Sequence, residues 1–195
     1  QPQQTASNMT LAEYSKYWFE NIAPNKLASS TVAREKSDID RFLPHIGHYK
    51  LTELRPEHFR KLYAALRKEK NMINGKPLSE LTVEGVHACL CGILSDAVES
   101  GLLDHNPAWR TYKYSNIDKK QQVVADEEIL QKLICALDKE SIKYETYFKL
   151  IIATGIRRGE CCGIKWSDID YAGRSIHICR NVVKVSGEDI CIKEP

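Results

Sequence analysis

Apolar side chains recur at helical spacing through the first hundred residues, and this pattern constrains the fold more than any other feature. The longest stripe lies within residues 79–100 and consists of Val83, Val86, Leu90, Ile93, Leu94 and Ala97. Side chains at this spacing share one face of a helix, so the stripe predicts a helix with a buried face. Gly101 suits its C-terminal cap, and Pro107 prevents its continuation.

Three shorter helices are predicted before this one. The first begins after Thr10 as its N-cap and ends at Pro24, and the second begins after residues 29–30 and ends at Pro44. The third starts at Pro56, because proline is favoured at the first position of a helix. Four amphipathic helices in about a hundred residues predict a compact bundle that is large enough to fold alone.

Composition and turn residues divide the chain into four parts. Residues 1–8 are polar and predict a linker, and residues 9–107 contain the predicted bundle. Residues 108–122 are basic and aromatic and lack both helical and strand spacing, which predicts an interdomain linker. Its composition is typical of a linker that crosses a nucleic-acid backbone, and equally of an ordinary linker. Residues 123–195 form a predicted second domain.

The second domain begins with acidic residues suited to a helix N-terminus and continues with two apolar helical stripes. The stripe within residues 144–152 predicts a buried helix face. Alternation at residues 176–178 and 190–192, on either side of turn residues 186–189, predicts one β-hairpin. A lone hairpin is only marginally stable, so we expect these residues to be the first part of a larger domain.

Charge and cysteine content exclude few classes of function. The formal net charge is +2, with 17 Lys and Arg against 14 Asp and Glu in residues 1–122, which slightly favours an anionic ligand on the first part. Seven cysteines without a C-x-x-C pair predict reduced thiols in a cytoplasmic protein, with neither disulfides nor a zinc site. No apolar run approaches the roughly 18 residues of a membrane span.

An arginine at the start of a short helix is the main functional signal. Gly155 suits the positive φ that ends the preceding helix, and a second helix is predicted to begin near Arg157 and to carry Glu160. An arginine at a helix N-terminus lies beside free backbone N–H groups, an arrangement that suits a bound phosphate. The six histidines, by contrast, show no metal-ligand spacing.

This helix start resembles the first catalytic box of the tyrosine recombinases, the phage-integrase family. The matching residues are 154–160, Thr-Gly-Ile-Arg-Arg-Gly-Glu, and 163–170, Gly-Ile-Lys-Trp-Ser-Asp-Ile-Asp. The first hundred residues resemble the core-binding, SAM-like domain of that family at residues 30–31, 44–47, 51–54 and 97–108. The resemblance extends from Met9 over nearly the whole chain. It is similar in character to integrases of phages and conjugative transposons from Gram-positive bacteria.

The resemblance implies a mainly α fold, in which a four-helix SAM-like core-binding domain precedes the start of an α+β DNA breaking-rejoining catalytic domain with a small antiparallel β-hairpin. It implies site-specific recombination or integration of a mobile element through a phosphotyrosine intermediate, without a cofactor or a metal. The implied partner is double-stranded DNA at attachment-type recombination sites, bound by a tetramer of the full-length protein, with no membrane association.

The resemblance also assigns roles to individual residues. Arg157 occupies the position of the first catalytic arginine, which binds the scissile phosphate. Arg158 is expected to face DNA backbone or solvent, and Glu160 to orient Arg157 or to cap backbone amides. The family contacts DNA through helices two and four, which here offer Thr31, Arg34, Lys36, Lys76, Ser79, Thr82 and His87. A solvated surface histidine is the alternative interpretation of His87.

The other catalytic residues of the family are expected beyond Pro195. They comprise a second box with His-x-x-Arg, the tyrosine nucleophile and a hairpin lysine, a role that is not assigned to Lys193. None of the nine tyrosines here is assigned as the nucleophile. The resemblance therefore implies a fragment that binds DNA without cleaving it. The alternative hypotheses are a non-catalytic DNA-binding regulator and a helical protein-interaction module.

Overall fold

The computed structural model describes residues 8–70, 75–113, 126–184 and 190–194. The chain divides into two compact units, Gln1–Lys119 and Lys120–Pro195. The first unit contains helices α1 (Leu11–Tyr17), α2 (Ala23–Lys26), α3 (Ser29–Ile46), α4 (Pro56–Leu66) and α5 (Glu80–Glu99). A π-helical turn, Trp18–Ile22, joins α1 to α2, and a short 3-10 turn, Leu51–Glu53, precedes α4.

The second unit also begins with helices. They are α6 (Glu127–Leu137), α7 (Ile142–Thr154) and α8 (Arg158–Gly163), followed by a 3-10 turn, Trp166–Asp168. Short strands complete the unit: β1 (Ile169–Asp170), β2 (Ser175–Ile176), β3 (Asn181–Val183) and β4 (Cys191–Lys193). The predicted fold class, a helical bundle followed by an α+β segment with antiparallel pairing, is confirmed.

Helix α5 lies at the centre of the core of the first unit. All six residues of its predicted stripe are fully buried: Val83, Val86, Leu90, Ile93, Leu94 and Ala97. They belong to one cluster with side chains from the other helices, including Tyr14, Phe42, Phe59, Leu62 and Leu66. Burying a side chain of this size contributes about 1.5–3 kcal/mol, so this cluster is the main source of stability in the unit.

Two prolines lie inside helices that they were predicted to end. Thr10 caps α1 as expected, because its Oγ1 accepts a hydrogen bond from the Glu13 amide at 3.2 Å and its own amide donates to Glu13 Oε2 at 2.8 Å. The chain then continues through the π-helical turn, which places Pro24 in the first turn of α2, where no helical N–H is needed. Pro44 lies within the last turn of α3, so both predicted ends are wrong.

Helix α5 is long and apolar enough, by length and composition, to meet the minimum requirement for a membrane span. Half of that stretch is buried inside the unit, as expected for the central helix of a folded bundle. No other helix in the described ranges meets the requirement.

The start of the predicted interdomain linker is part of the first unit. Ala108, Thr111 and Tyr112 are buried, and Ala108 and Tyr112 belong to the hydrophobic core. The Thr111 hydroxyl donates to the Ala108 carbonyl at 2.6 Å, which closes a tight turn. The predicted linker boundary at residue 108 therefore lies too early. Most of the predicted linker, residues 114–122, lies outside the described residues, as do residues 1–7 of the predicted N-terminal linker.

The apolar faces of α6 and α7 are less buried than their periodicity predicted. Helix α7 has no buried residue, and Tyr144 and Phe148 of its predicted face are exposed. In α6 only Leu137 is buried. Periodicity reports that a helix has an apolar face, but burial also requires a neighbouring element to cover that face.

The strands form two separate antiparallel pairs, β1 with β2 and β3 with β4. Ile176 therefore pairs with Ile169, and Ile192 pairs with Val182, so the predicted pairing of residues 176–178 with 190–192 is wrong. A turn closed by the hydrogen bond from the Gly173 amide to Asp170 Oδ1, at 2.9 Å, sets the first pair. Alternation in the sequence identifies extended segments but does not identify their partners.

Candidate functional site

The arginine motif adopts the predicted break between two helices. Helix α7 ends at Thr154 and is capped by Gly155, whose φ is 69° and whose amide donates to the Ile151 carbonyl at 2.8 Å. A side chain at this φ would be strained, which is why the position requires glycine. The chain then becomes extended at Arg157, the N-cap of α8, with φ −71° and ψ 151°. Arg157 consequently stands at the first turn of a new helix.

Glu160 holds Arg157 through two hydrogen bonds. The Arg157 amide donates to Glu160 Oε2 at 2.9 Å, and Arg157 Nη1 donates to Glu160 Oε1 at 2.7 Å. Together these two bonds hold the pKa of the Glu160 carboxyl below its ordinary value. The Glu160 side chain is 8% exposed, whereas that of Arg157 is 82% exposed. The buried Glu160 carboxylate thus holds the backbone and one guanidinium nitrogen of Arg157, while the rest of the guanidinium is exposed to solvent.

Two glycines let strand β3 approach α8 closely. A Cβ added at Gly159 would clash with the Asn181 side chain and would lie 2.7 Å from the Val182 carbonyl oxygen. A Cβ at Gly163 would lie 2.9 Å from the Arg180 carbonyl oxygen. Because backbone atoms cannot move aside cheaply, only glycine fits at these positions. The strand therefore supports the helix whose first turn carries Arg157.

A second arginine network, centred on Arg180, was not predicted. Arg180 Nε donates to the Gly163 carbonyl at 3.0 Å, and its Nη2 forms an ion pair with Asp168 Oδ2. Asp168 also accepts from the Lys165 amide at 2.7 Å. The ion pair with Arg180, followed by that amide, lowers the pKa of the Asp168 carboxyl. Arg180 thus links the end of α8 to the turn before β1 and has a structural role.

Comparison with models of protein families gives two matches. Residues 10–67 match the phage integrase N-terminal SAM-like domain, and residues 123–190 match the phage integrase family. The chain belongs to the phage integrase family of tyrosine recombinases.

Curated relatives of this chain include bacterial integrases. The ICEBs1 integrase of Bacillus subtilis (strain 168) is 25% identical over 111 residues, which cover 57% of this chain and 30% of that protein. A tyrosine recombinase XerC-like protein of Caldanaerobacter subterraneus subsp. tengcongensis is 30% identical over 116 residues, covering 55% of this chain and 28% of that protein. The matched region therefore spans less than a third of either relative.

Solved structures share the fold over almost the whole chain. The Tn1549 transposon integrase, in complex with transposon right end DNA, gives a TM-score of 0.78 at 14% identity. The alignment covers 96% of this chain and 57% of the Tn1549 integrase chain. A lambda integrase tetramer bound to a Holliday junction gives a TM-score of 0.65 at 16% identity. That alignment covers 98% of this chain and 52% of the lambda integrase chain. At these identities the likeness shows the fold alone.

The predicted DNA-contact residues on α3 differ in their exposure and in their ion-pair partners. Thr31 lies in the first turn and is partly buried. Arg34 is exposed and forms an ion pair with Glu35 at 2.9 Å. Lys36 is exposed, lies 3.4 Å from Asp40 and stands 5.7 Å from the centre of the Phe19 ring. The Lys36–Asp40 pair joins two exposed groups and is weak, so Lys36 can exchange its partner for a phosphate at little cost. Glu35 is buried, so withdrawing Arg34 from it would leave a buried carboxylate without that partner.

The residues predicted around the start of α5 form a cap. Ser79 is the N-cap, and its Oγ accepts from the Thr82 amide at 3.2 Å and lies 2.9 Å from the Thr82 hydroxyl. Lys76 is exposed in the preceding segment. Both Ser79 and Thr82 therefore serve the helix cap. Arg158, in the second unit, is exposed at the first residue of α8.

Helices α3 and α5 run antiparallel where they touch. Cys89 Sγ lies 3.9 Å from the Glu35 carbonyl, and Asp38 packs beside Gly85, so the sequence numbers change in opposite directions. With a rise of about 1.5 Å per residue, Thr31 and Ser79 are separated by roughly 20 Å along the pair. Thr31 and Ser79 thus lie far apart along this helix pair, whereas Lys36 is level with the middle of α5.

His87 is buried, so the prediction of a surface or DNA-contacting histidine is wrong. Its exposure is 5%, its Nδ1 lies 2.8 Å from the Tyr63 hydroxyl, and its ring stacks on Tyr112 with centroids 5.1 Å apart. Burial lowers the pKa of His87 and favours the neutral ring. Tyr112, in the segment after α5, covers the face of the helix that carries His87, and this tertiary contact leaves no signal in helical spacing.

No metal centre or disulfide was predicted. Among the described ranges, no group of three or more His, Cys, Asp or Glu side chains is placed to hold a metal ion. All seven cysteines are free thiols.

Proposed function

We propose that this chain is the DNA-binding and phosphate-positioning part of a site-specific recombinase that integrates a mobile element by DNA strand breakage and rejoining. The observation that carries the proposal is the geometry of Arg157. Its guanidinium is exposed at a helix N-terminus and is anchored at one nitrogen by the buried carboxylate of Glu160. The reaction would proceed through a phosphotyrosine intermediate, with double-stranded DNA at attachment-type sites as the substrate.

The chemistry explains why an arginine is needed at this position. Attack on a phosphodiester builds negative charge on the non-bridging oxygens, and a planar guanidinium can donate two parallel N–H bonds to them. Arg157 uses Nη1 for Glu160, and four of its five N–H groups remain for a phosphate. Because Glu160 fixes the side chain before DNA binds, less conformational entropy is lost when the phosphate is engaged.

The cationic side chains on the first unit would position the DNA. Arg34, Lys36 and Lys76 are exposed, and contacts from lysine or arginine to phosphates set orientation without reading sequence. Arg158 would add a backbone contact beside Arg157. We further propose that the complete recombinase assembles as a tetramer on DNA in the cytoplasm, and that this chain alone binds DNA without cleaving it.

The proposal is tested by replacing Arg157 in the complete recombinase. We expect Arg157→Ala to reduce strand cleavage by at least about 100-fold, the loss typical of removing one group that stabilises transition-state charge, while DNA affinity falls only a few-fold. Arg157→Lys keeps the charge but loses the two-pronged donor, so we expect it to remain strongly impaired. Cleavage is measured as covalent protein–DNA adduct on a nicked suicide substrate.

Arg158→Ala is the matched control, because it removes the same charge from the adjacent exposed residue. We expect it to weaken DNA binding slightly and to leave the cleavage rate of the bound complex within a few-fold of the unaltered protein. Cleavage by Arg157→Ala at the rate of the unaltered protein would refute the assignment of Arg157.

A further inference from the structure

A strained turn at the end of the first unit presents an arginine and a tryptophan to solvent. In the described ranges, Arg110 (φ 58°) and Arg174 (φ 49°) are the only residues other than glycine with positive φ. Trp109, next to Arg110, is 72% exposed. Positive φ is unfavourable for a residue with a Cβ, and exposure of an indole forfeits its burial. Neither feature is explained by the stability of the bundle.

Hydrogen bonds fix the backbone on both sides of this turn. On the N-terminal side, the Asn106 amide group donates to the Cys91 carbonyl and to Ser95 Oγ, each at 2.9 Å, and Asn106 Oδ1 accepts from the Ala108 amide at 3.0 Å. On the C-terminal side, Tyr112 is buried and its hydroxyl lies 3.0 Å from Glu80 Oε2. The surrounding structure therefore imposes the conformation of Trp109 and Arg110, and local strain of this kind is common at functional positions.

The Arg110 guanidinium has no hydrogen-bond or ion-pair partner in the part of the chain that the structure describes. Lys113, three residues on, is also exposed. By sequence, residues 109–122 contain four Lys or Arg and one Asp, a net charge of +3, although the whole chain carries only +2. The stretch that this turn begins is therefore locally basic, which favours an anionic partner.

Trp109 and Arg110 line two concave surfaces, of which only one contains acidic residues. One, of about 580 Å³, is lined by Trp109 and Arg110 with His87, Ala88, Cys91 and Tyr112, and it contains no acidic residue. The other, of about 740 Å³, includes Glu99 and Asp104 in its lining. An anion is therefore expected on the first side, where the guanidinium has no competing carboxylate.

We propose that the Trp109–Arg110 turn is a DNA-backbone contact, in which Arg110 binds a phosphate, Lys113 supports it electrostatically, and the Trp109 ring packs against the adjoining sugar. This inference rests on the proposed function, because it takes duplex DNA as the ligand. It adds a site on the loop after α5, outside the residues predicted on α3 and at the start of α5. A backbone held rigid before binding reduces the ordering cost of the contact.

The test compares two arginines that differ in location but share charge and strain. Arg110→Gly and Arg174→Gly each remove one positive charge and each place glycine at a positive φ, so neither is expected to impair folding. We measure the affinity of the whole chain for a duplex at several salt concentrations. We expect Arg110→Gly to weaken binding by about 5–10-fold at 0.1 M salt and to reduce the salt slope by about 1, with Arg174→Gly within two-fold of the unaltered chain.

Trp109→Ala supplies a second, uncharged probe. We expect it to weaken binding several-fold without changing the salt slope, because it removes a packing contact and no charge. Equal losses for Arg110→Gly and Arg174→Gly, or no loss for Arg110→Gly, would overturn the proposal. So would unchanged DNA affinity combined with lost self-association of Trp109→Ala in sedimentation velocity, which would make the turn a protein interface.

The unaltered chain distinguishes failure of this inference from failure of the proposed function. If it does not bind duplex DNA at low salt, the proposed function fails and the inference fails with it. If it binds, and Arg110→Gly binds equally well, the inference alone is wrong.

Discussion

Single side chains in this protein combine burial and charge in ways that spacing alone does not show. Arg157 was identified from the sequence because a glycine break, an arginine and a glutamate occur together, and the structure adds the two hydrogen bonds that join Arg157 to Glu160. His87 was misassigned, because Tyr112 covers it from another part of the chain. Asp38 was not singled out at all, although it is a buried carboxylate on α3.

The pKa of Asp38 is raised to about 6, chiefly by burial and further by Glu35, against the weaker opposing effect of Arg34 and Arg41. A carboxyl whose folded-state pKa exceeds its unfolded value is protonated more readily in the fold. Its contribution to stability therefore increases as the pH falls through about 6 towards 4, and at pH 7 the buried charge costs about 1–3 kcal/mol.

We therefore predict that Asp38→Asn raises the free energy of unfolding of the first unit by about 1–3 kcal/mol at pH 7 and has little effect at pH 4. Hydrogen exchange of the buried α5 amides measures this quantity. Asp40→Asn is the control on the same helix, since Asp40 is exposed. His87 acts in the opposite direction: its pKa is lowered, so it disfavours the fold as the pH falls below about 6.5, but it is common to both variants. Equal pH profiles for the two variants would contradict the prediction.

Helix bounds in this protein are predicted well, because they depend on local signals. Strand pairing is predicted poorly, because it depends on residues far away in the sequence. The bounds of α4 and α5 follow from Pro56, from the Ser79 cap and from Gly101, all local features. The pairing of β3 with β4 is different, because it depends on which strand passes α8. Gly159 and Gly163 allow that approach, and neither residue reveals its neighbour in the sequence.

At the scale of these elements, we predict that Gly159→Ala displaces β3 from α8. The new Cβ would lie 2.7 Å from the Val182 carbonyl oxygen, so the strand must shift, at a cost of about 1–3 kcal/mol. The expected result is reduced hydrogen-exchange protection of residues 181–183 and α8. Gly92→Ala in α5 is the control, because its Cβ meets nothing within 4 Å and alanine favours a helix by about 1 kcal/mol. Unchanged protection in Gly159→Ala would show that α8 and β3 tolerate the wider spacing.

The whole molecule combines a helical unit with its own core and a second unit that carries the arginine motif. Its net charge of +2 gives little indication of a DNA partner, because acidic residues elsewhere offset basic stretches such as residues 109–122. Family and fold were nevertheless predicted from the motif together with the helical pattern, and both are confirmed by the matches over residues 10–67 and 123–190.

For the whole chain, we predict binding to duplex DNA that weakens steeply with salt and yields no covalent adduct on a nicked suicide substrate. Binding through several phosphates releases counterions, so the logarithm of affinity should fall linearly with the logarithm of salt concentration. The absence of adduct is expected because none of the nine tyrosines is assigned as nucleophile. An adduct formed by the 195-residue chain would contradict this prediction.

The helical bundle, the break at Gly155 and the place of Arg157 follow from local sequence signals, because caps, prolines and periodic apolar residues act over a few neighbouring positions. The burial of His87, the pairing of β3 with β4 and the exposure of the Trp109–Arg110 turn follow instead from tertiary contacts. Each of these depends on contacts between residues far apart in the chain, such as the 2.8 Å contact from Tyr63 to His87. Local patterns carry no information on which distant surface closes over them.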